Sequence, residues 1–301
     1  MDLIHNNYLK ASGNGDTWTV EINPPSRLTK SYFEETIVAA EIVWEQKQGP
    51  VYLCYSGGLD SEFALGVFRH LGMPVVPVIM RTQYNDYDMK YASKYCENNN
   101  LEPLIVDLNF DKFVQSGKLL DIATDMECAT WQVSANMWLC SQLDGTVITG
   151  DSPPYLKRVN DVWYLVEEEY AYSQLKYFKK HGVYGTPFFL NHTAEQMLSF
   201  LLDPTMQSLA GDQILGKMGS HSSKVHVYNN HAFQLEPRTK KHGYEQVEKS
   251  SIFDHPDIHA VIHKKDKWLG DSYHQYHDTV SNLLAGRTSK DLTNLAVSAI
   301  L

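Results

Sequence analysis

Cysteine is scarce in this chain: Cys54, Cys96, Cys128 and Cys140 are the whole complement of 301 residues, widely spaced and without a C-x-x-C pair. That excludes a disulfide scaffold and a four-cysteine zinc site, and it fits a reducing, cytoplasmic setting. No stretch approaches the ~18 consecutive apolar residues of a spanning helix, and the opening residues lack a basic segment followed by an apolar run. Neither a membrane span nor export is therefore expected. Positive charge is also in deficit, with 26 Lys and Arg against 36 Asp and Glu, a net charge of −10. Such a chain repels a polyphosphate backbone unless a local basic patch overrides the balance, which speaks against nucleic acid and for small-molecule partners. Fixed-period repeats and low-complexity tracts are missing too, which excludes solenoids and propellers. What the chain does have is 43% hydrophobic residues and 12% aromatics, enough for one large or two modest domains.

The apolar pattern alternates between strand and helix. Residues 28–48 carry Phe33, Ile37, Ala40, Ile42 and Val43 at approximately helical spacing and close at Gly49-Pro50. Val51–Tyr55 is a short apolar run of the kind that forms a strand buried on both faces, and it stops at Ser56-Gly57-Gly58. Phe63, Ala64, Val67, Phe68 and Leu71 then repeat at helical intervals up to Gly72, a fitting C-terminal cap. Val75–Met80 reads as a second strand, Tyr87–Asn98 as a helix, Pro103–Leu108 as a third strand, 111–143 as two helices and Thr146–Thr149 as a fourth strand. Pro77 is awkward inside a strand, because proline cannot donate to a ladder. Strands separated by helices predict an α/β fold with a doubly wound parallel sheet over residues 1–160. Residues 161–301 read as a mostly helical substrate or oligomerisation region, with a helix over 193–202 capped by Thr193. A homodimer is compatible with that division.

The chemistry concentrates in Ser56-Gly57-Gly58-Leu59-Asp60-Ser61, where a buried strand hands over to an amphipathic helix at the carboxyl edge of the expected sheet. Open α/β sheets bind ligands there. Adjacent glycines let the backbone turn tightly and bring bare N–H groups near an anion, while the following helix aims its N-terminal amides at the same spot. Ser56 and Ser61 add hydroxyls. Asp60 beside a phosphate is electrostatically odd alone, and makes sense if it holds a divalent cation that bridges to the phosphates. The bland alternative is a tight Gly-Gly turn before a helix, with Asp60 a helix-start residue and no ligand.

The hexapeptide resembles the SGGxDS pyrophosphate loop of the N-type ATP pyrophosphatase (PP-loop) superfamily, and residues 51 to about 158 look like that adenine nucleotide alpha hydrolase-like fold. The nearest flavours are the synthetase domain of asparagine synthetase and 7-cyano-7-deazaguanine synthase. The resemblance implies ATP and Mg2+. It places the β and γ phosphates on Ser56, Gly57, Gly58, Leu59, Asp60 and Ser61, the adenine near Met80 and Arg81, and the α-phosphate near Gly150 and Asp151, with Asp60 and Asp151 holding metal. It implies an AMP-forming ligase: a substrate oxygen attacks the α-phosphorus, pyrophosphate leaves, and a nitrogen nucleophile displaces AMP. Electrostatic stabilisation of the departing pyrophosphate is the main demand of that chemistry, so further cations are wanted. Lys157, Arg158, Arg238, Lys240 and Lys241 are the candidates, each by default a solvated surface charge. No N-terminal glutaminase cysteine and no C-terminal cysteine cluster is present, so ammonia would come from an external source or a partner glutaminase. Two other readings stay open, a tRNA-thiolating enzyme and a catalytically silent nucleotide-binding module.

Two further signals are set aside. Gly211–Met218 nearly spells a Walker-type phosphate loop, but Met218 replaces the required hydroxyl and no strand precedes it. His255, His259 and His263 share a helical spacing, yet Pro256 and the lack of a carboxylate partner favour hydrogen-bonding histidines over zinc, as for His274 and His277. The four cysteines read as packing groups rather than sulfur carriers.

Overall fold

The computed structural model describes residues 25–128, 130–150, 155–159, 162–166, 170–204, 221–229, 234–235 and 244–261. Its centre is a five-stranded sheet of β1 (Val51–Cys54), β2 (Val75–Arg81), β3 (Leu104–Asp107), β4 (Thr146–Thr149) and β7 (Tyr184–Thr186), in the order β3-β2-β1-β4-β7. Every neighbouring pair is parallel. The chain therefore winds outward from β1 through β2 to β3, then returns to the other side of β1 for β4 and β7. That reversal puts the topological switch point between β1 and β4. The fifth strand lies beyond residue 160, so the sheet is shared by the two regions drawn from the sequence. A separate antiparallel pair, β5 (Tyr155–Val159) and β6 (Val162–Val166), comes between β4 and β7 in the chain.

Helices cover both faces. Alternation along the strands assigns Leu53, Tyr55 and Ile148 to one core and Cys54 and Val147 to the other. The first core is closed by α1 (Tyr32–Gln46), α2 (Leu59–His70), α3 (Asp86–Asn98) and α8 (Ala194–Leu202). The second is closed by α4 (Phe110–Gln115), α5 (Lys118–Asp125), α6 (Trp131–Cys140) and α7 (Tyr170–His181). Residues 111–143, expected as two helices, form three, because Gly117 at φ +76 ends one and starts the next. Local chemistry sets the other ends. The Ser31 side chain accepts from the Glu34 amide while the Glu34 carboxylate reaches back, a capping box for α1. Thr193 caps α8 as expected.

Pro77 sits inside β2 without a broken ladder. Tyr55 N donates to Val78 O at 2.7 Å, so the polar groups of Val78 face β1 and those of Pro77 face β3. Pairing with β3 begins only at Val78↔Leu104, so the missing proline donor has no ladder partner to disappoint. Among the described residues, the C-terminal region also reaches this frame through α9 (His221–Asn229), which packs on α2, and α10 (Tyr244–Glu248).

Candidate functional site

β1 ends in the middle of the sheet, and Tyr55 continues its ladder one residue further before the chain turns at Ser56. Gly57 takes φ +77, a left-handed conformation disfavoured for other residues. A Cβ there would lie 2.7 Å from the Asp88 carbonyl oxygen and 3.2 Å from the Ala92 amide nitrogen, so α3 also presses directly on this position. Gly58 is the N-cap of α2, extended at φ −78 and ψ 161. Leu59, Asp60 and Ser61 form the first turn, whose amides have no carbonyl four residues back within the helix. The first such bond is Glu62 N to Gly58 O at 3.0 Å.

The hydroxyls face one another. Ser56 Oγ is 3.3 Å from Ser61 Oγ and accepts from Gly58 N at 3.3 Å, and Ser61 Oγ donates to Gly58 O at 3.1 Å. Ser56 is exposed while Ser61 is buried. Gly150, just past β4, closes the other side: a Cβ on it would stand 2.9 Å from Ser61 Cα and 3.2 Å from Ser61 N. The end of β4 thus touches the start of α2, with only a glycine's thickness between them. Met80 and Arg81 end β2 at the same carboxyl edge, so the structure brings Ser56, Gly57, Gly58, Asp60, Ser61, Met80, Arg81 and Gly150 to one rim.

Two residues that sequence reasoning missed complete this rim. Tyr228 OH donates to Asp60 Oδ1 at 2.6 Å, and Lys224 Nζ donates to Asp60 Oδ2 at 3.0 Å. Their i, i+4 spacing places both on one side of α9. Tyr228 is fully buried, its ring stacked on Phe63 with centroids 4.2 Å apart and planes 6° from parallel, with Tyr32 nearby at 6.3 Å. Burial first, then the negative charge of Asp60, pushes the Tyr228 phenol well above its ordinary range, so it remains a proton donor. The Lys224 side chain is only 11% exposed and that of Asp60 24%, so the ion pair is largely shielded from water. A shorter-range pair lies beneath the loop, where Tyr55 OH donates to the buried Glu62 carboxylate at 2.8 Å.

Around the β2 end, the Asn85 amide donates to Met80 O at 2.7 Å, and Arg81 holds Asp107 in a two-pronged pair at 2.5 and 2.8 Å. That hydrogen bonding raises the Arg81 guanidinium and lowers the Asp107 carboxyl, although both groups are exposed. Asp151, Arg238, Lys240 and Lys241 lie outside the described residues, as do the 211–218 near-motif and His263, His274 and His277. Lys157 and Arg158 are placed by backbone alone, in β5 opposite Tyr164 and Trp163. His255 Nδ1 accepts from the Asp257 amide at 3.2 Å. Burial pushes the Cys96 thiol up to about 11 and the Cys128 thiol up to about 12, which makes both poor sulfur nucleophiles.

Magnesium on Asp60 does not fit these contacts. Both carboxylate oxygens accept from α9, and a divalent cation bound there would stand against the Lys224 ammonium in a water-poor site. Among the described residues, no group of three or more His, Cys, Asp or Glu could hold an ion. Among them, too, no helix is long and apolar enough to cross a membrane.

The fold class is α/β, built on a doubly wound parallel sheet. No family model matches the chain, and no curated protein does. A search of solved structures returns the NMN synthetase of Francisella tularensis, at 14% identity and a TM-score of 0.34, covering 81% of this chain and 94% of that one.

Proposed function

We propose that the protein is an ATP pyrophosphatase-type ligase, which adenylates a small-molecule substrate, releases pyrophosphate and forms a C–N bond with loss of AMP. The observation that carries this reading is the conformation of Ser56–Ser61: the hexapeptide of the resemblance forms the turn between β1 and α2, beside the switch point, with first-turn amides and two hydroxyls gathered at the sheet's carboxyl edge. Amides at a helix start are preorganised donors for an oxyanion, and their dipoles oppose the charge that grows on a leaving diphosphate. Ser61 and Gly58 would contact the β and γ phosphates, Gly150 would let the α-phosphate approach, and Met80 and Arg81 would border the adenine. The substrate oxygen attacks the α-phosphorus, its bond to the bridging oxygen breaks, and the electron pair leaves with pyrophosphate; no protein base is needed for that step. Any magnesium would travel on the nucleotide's own phosphates, since Asp60 is engaged by Lys224 and Tyr228. Residues 1–160 would supply most of the nucleotide site and 161–301 the acceptor side, with α9 reaching over the loop.

The tRNA-thiolation reading needs a reactive thiolate, which the raised thiols of Cys96 and Cys128 do not supply, and it would rest on Cys54 and Cys140, whose sulfurs lie 3.9 Å apart. The deciding experiment incubates the protein with ATP and a panel of amino acids, deazaguanine acids and tRNA, and resolves the nucleotide products. AMP and pyrophosphate with a carboxylic acid support the reading. ADP and phosphate, or thiolated tRNA, would replace it, and no turnover with retained ATP binding would leave the silent nucleotide-binding module.

A further inference from the structure

We propose that Lys224 is the resident cation of the Ser56–Ser61 loop, and that Asp60 is its docking carboxylate rather than a metal ligand. This rests on the reading of the loop as a pyrophosphate cradle, and it assigns to α9 the charge that the resemblance gives to magnesium on Asp60.

Three observations converge. First, both oxygens of Asp60 accept from one helix: Tyr228 OH at 2.6 Å on Oδ1 and Lys224 Nζ at 3.0 Å on Oδ2. Second, the grip is built in. Phe63 follows Asp60 by three residues, so ring and carboxylate lie on one side of α2. Tyr228 stacks on that ring at 4.2 Å while its hydroxyl reaches the carboxylate. One side chain of α9 thus engages two positions on the same side of α2. Third, Lys224 is itself nine-tenths buried, and an ammonium is placed in such surroundings only against an anion.

Charge then decides the role. A lone Asp60 in the first turn of α2 would repel an incoming phosphate. With Lys224 bound to it the pair is neutral, and the helix amides dominate the local field. A diphosphate arriving at those amides draws on the lysine as a second anion, and no metal on Asp60 is required. The lysine sits 164 residues from Asp60 in sequence, so the cradle is complete only when the C-terminal region is docked.

The test is calorimetric titration of the full chain with inorganic pyrophosphate, once in excess EDTA and once in magnesium, with thermal melts confirming that each variant folds. The expected pattern is binding in EDTA, a loss of about tenfold or more in Lys224→Met, and near-normal affinity in Lys224→Arg. Asp60→Asn should bind pyrophosphate as tightly as the unaltered protein or more tightly, because the lysine is no longer neutralised. Strict dependence on magnesium together with loss of binding in Asp60→Asn would overturn the proposal and restore Asp60 as a metal ligand. Unchanged affinity in Lys224→Met, alongside weakened binding in Ser61→Ala, would overturn it while leaving the loop reading intact. Absence of binding to the unaltered protein under both conditions would remove the loop reading and this inference together. Should Lys224→Met fail to fold, the opposite expectations for Asp60→Asn still decide the matter.

Discussion

Adjacent glycines in the loop should respond very differently to one added methyl group. At Gly57 an alanine must hold φ +77, which costs about 1–2 kcal/mol for an L residue. Its Cβ would also lie 2.7 Å from the Asp88 carbonyl, a backbone atom of α3 that cannot swing aside. Relieving an overpacked contact of that kind costs about 1–3 kcal/mol. Stiffening the unfolded chain returns roughly 0.4–1 kcal/mol. The net loss is about 1–5 kcal/mol, and at roughly 2–4 °C per kcal/mol the melting point falls by about 2–20 °C. At Gly58 the backbone is extended and, among the described residues, the new methyl meets only Ser56 Oγ, at 3.2 Å, the end of an exposed side chain that can rotate. Alanine is a poorer N-cap than glycine by about half a kcal/mol or more, offset by the unfolded-state gain, so stability should stay within about 1 kcal/mol. Scanning calorimetry of the two variants reads the stability difference, and pyrophosphate titration of Gly58→Ala should show weakened binding despite an intact fold. A Gly57→Ala protein that melts with the unaltered one, or a Gly58→Ala protein that is the less stable of the two, would refute the reasoning.

Tyr228→Phe removes a buried donor from Asp60 while preserving the stack on Phe63, and should cost about 1–3 kcal/mol by chemical denaturation. Arg27→Ala takes the guanidinium from the fully buried Glu35 carboxylate, leaving the Lys30 amide at 2.7 Å; a loss of about 2–3 kcal/mol is expected, tempered because Arg27 itself is partly exposed. In alkylation followed by peptide mass spectrometry, Cys128 and Cys96 of the folded protein should stay unmodified at pH 8 and react only after denaturation, since the thiolate is the nucleophile. Because the folded thiols hold protons to about 11 and about 12, against about 9 unfolded, the unfolded chain deprotonates first. Their contribution to stability is therefore full below about pH 9 and is lost as pH rises toward about 12, so a melting point that climbs over that window would contradict the burial assignment.

What the sequence displays best is the first half of the sheet. β1, β2, β3 and β4 stand out because buried parallel strands are nearly continuous apolar runs, and Gly49-Pro50 and Gly72 mark real ends of structure. The loop was legible because its chemistry is local: a glycine turn between strand and helix can be read from six residues. β7 escaped notice, being three residues long and held in place by pairing with β4 rather than by its own pattern. The helix break at Gly117 was visible as a glycine but not as a division, since a single glycine is also tolerated inside helices. Lys224 and Tyr228 were beyond reach for a different reason. Nothing in a sequence marks which lysine crosses 164 residues to meet a given carboxylate, whereas Lys157 and Arg158 stand out by following Gly150-Asp151 and Arg238, Lys240 and Lys241 by their clustering.

Calorimetric titration with α,β-methylene-ATP, which presents the triphosphate but cannot be cleaved between its α and β phosphorus atoms, tests the loop assignment most directly. Saturable one-to-one binding to the full chain is predicted, weakened about tenfold or more by Ser61→Ala in a variant that melts normally. Binding that is absent, or that is indifferent to Ser61→Ala, would contradict the claim that the turn between β1 and α2 is where the nucleotide's phosphates are held.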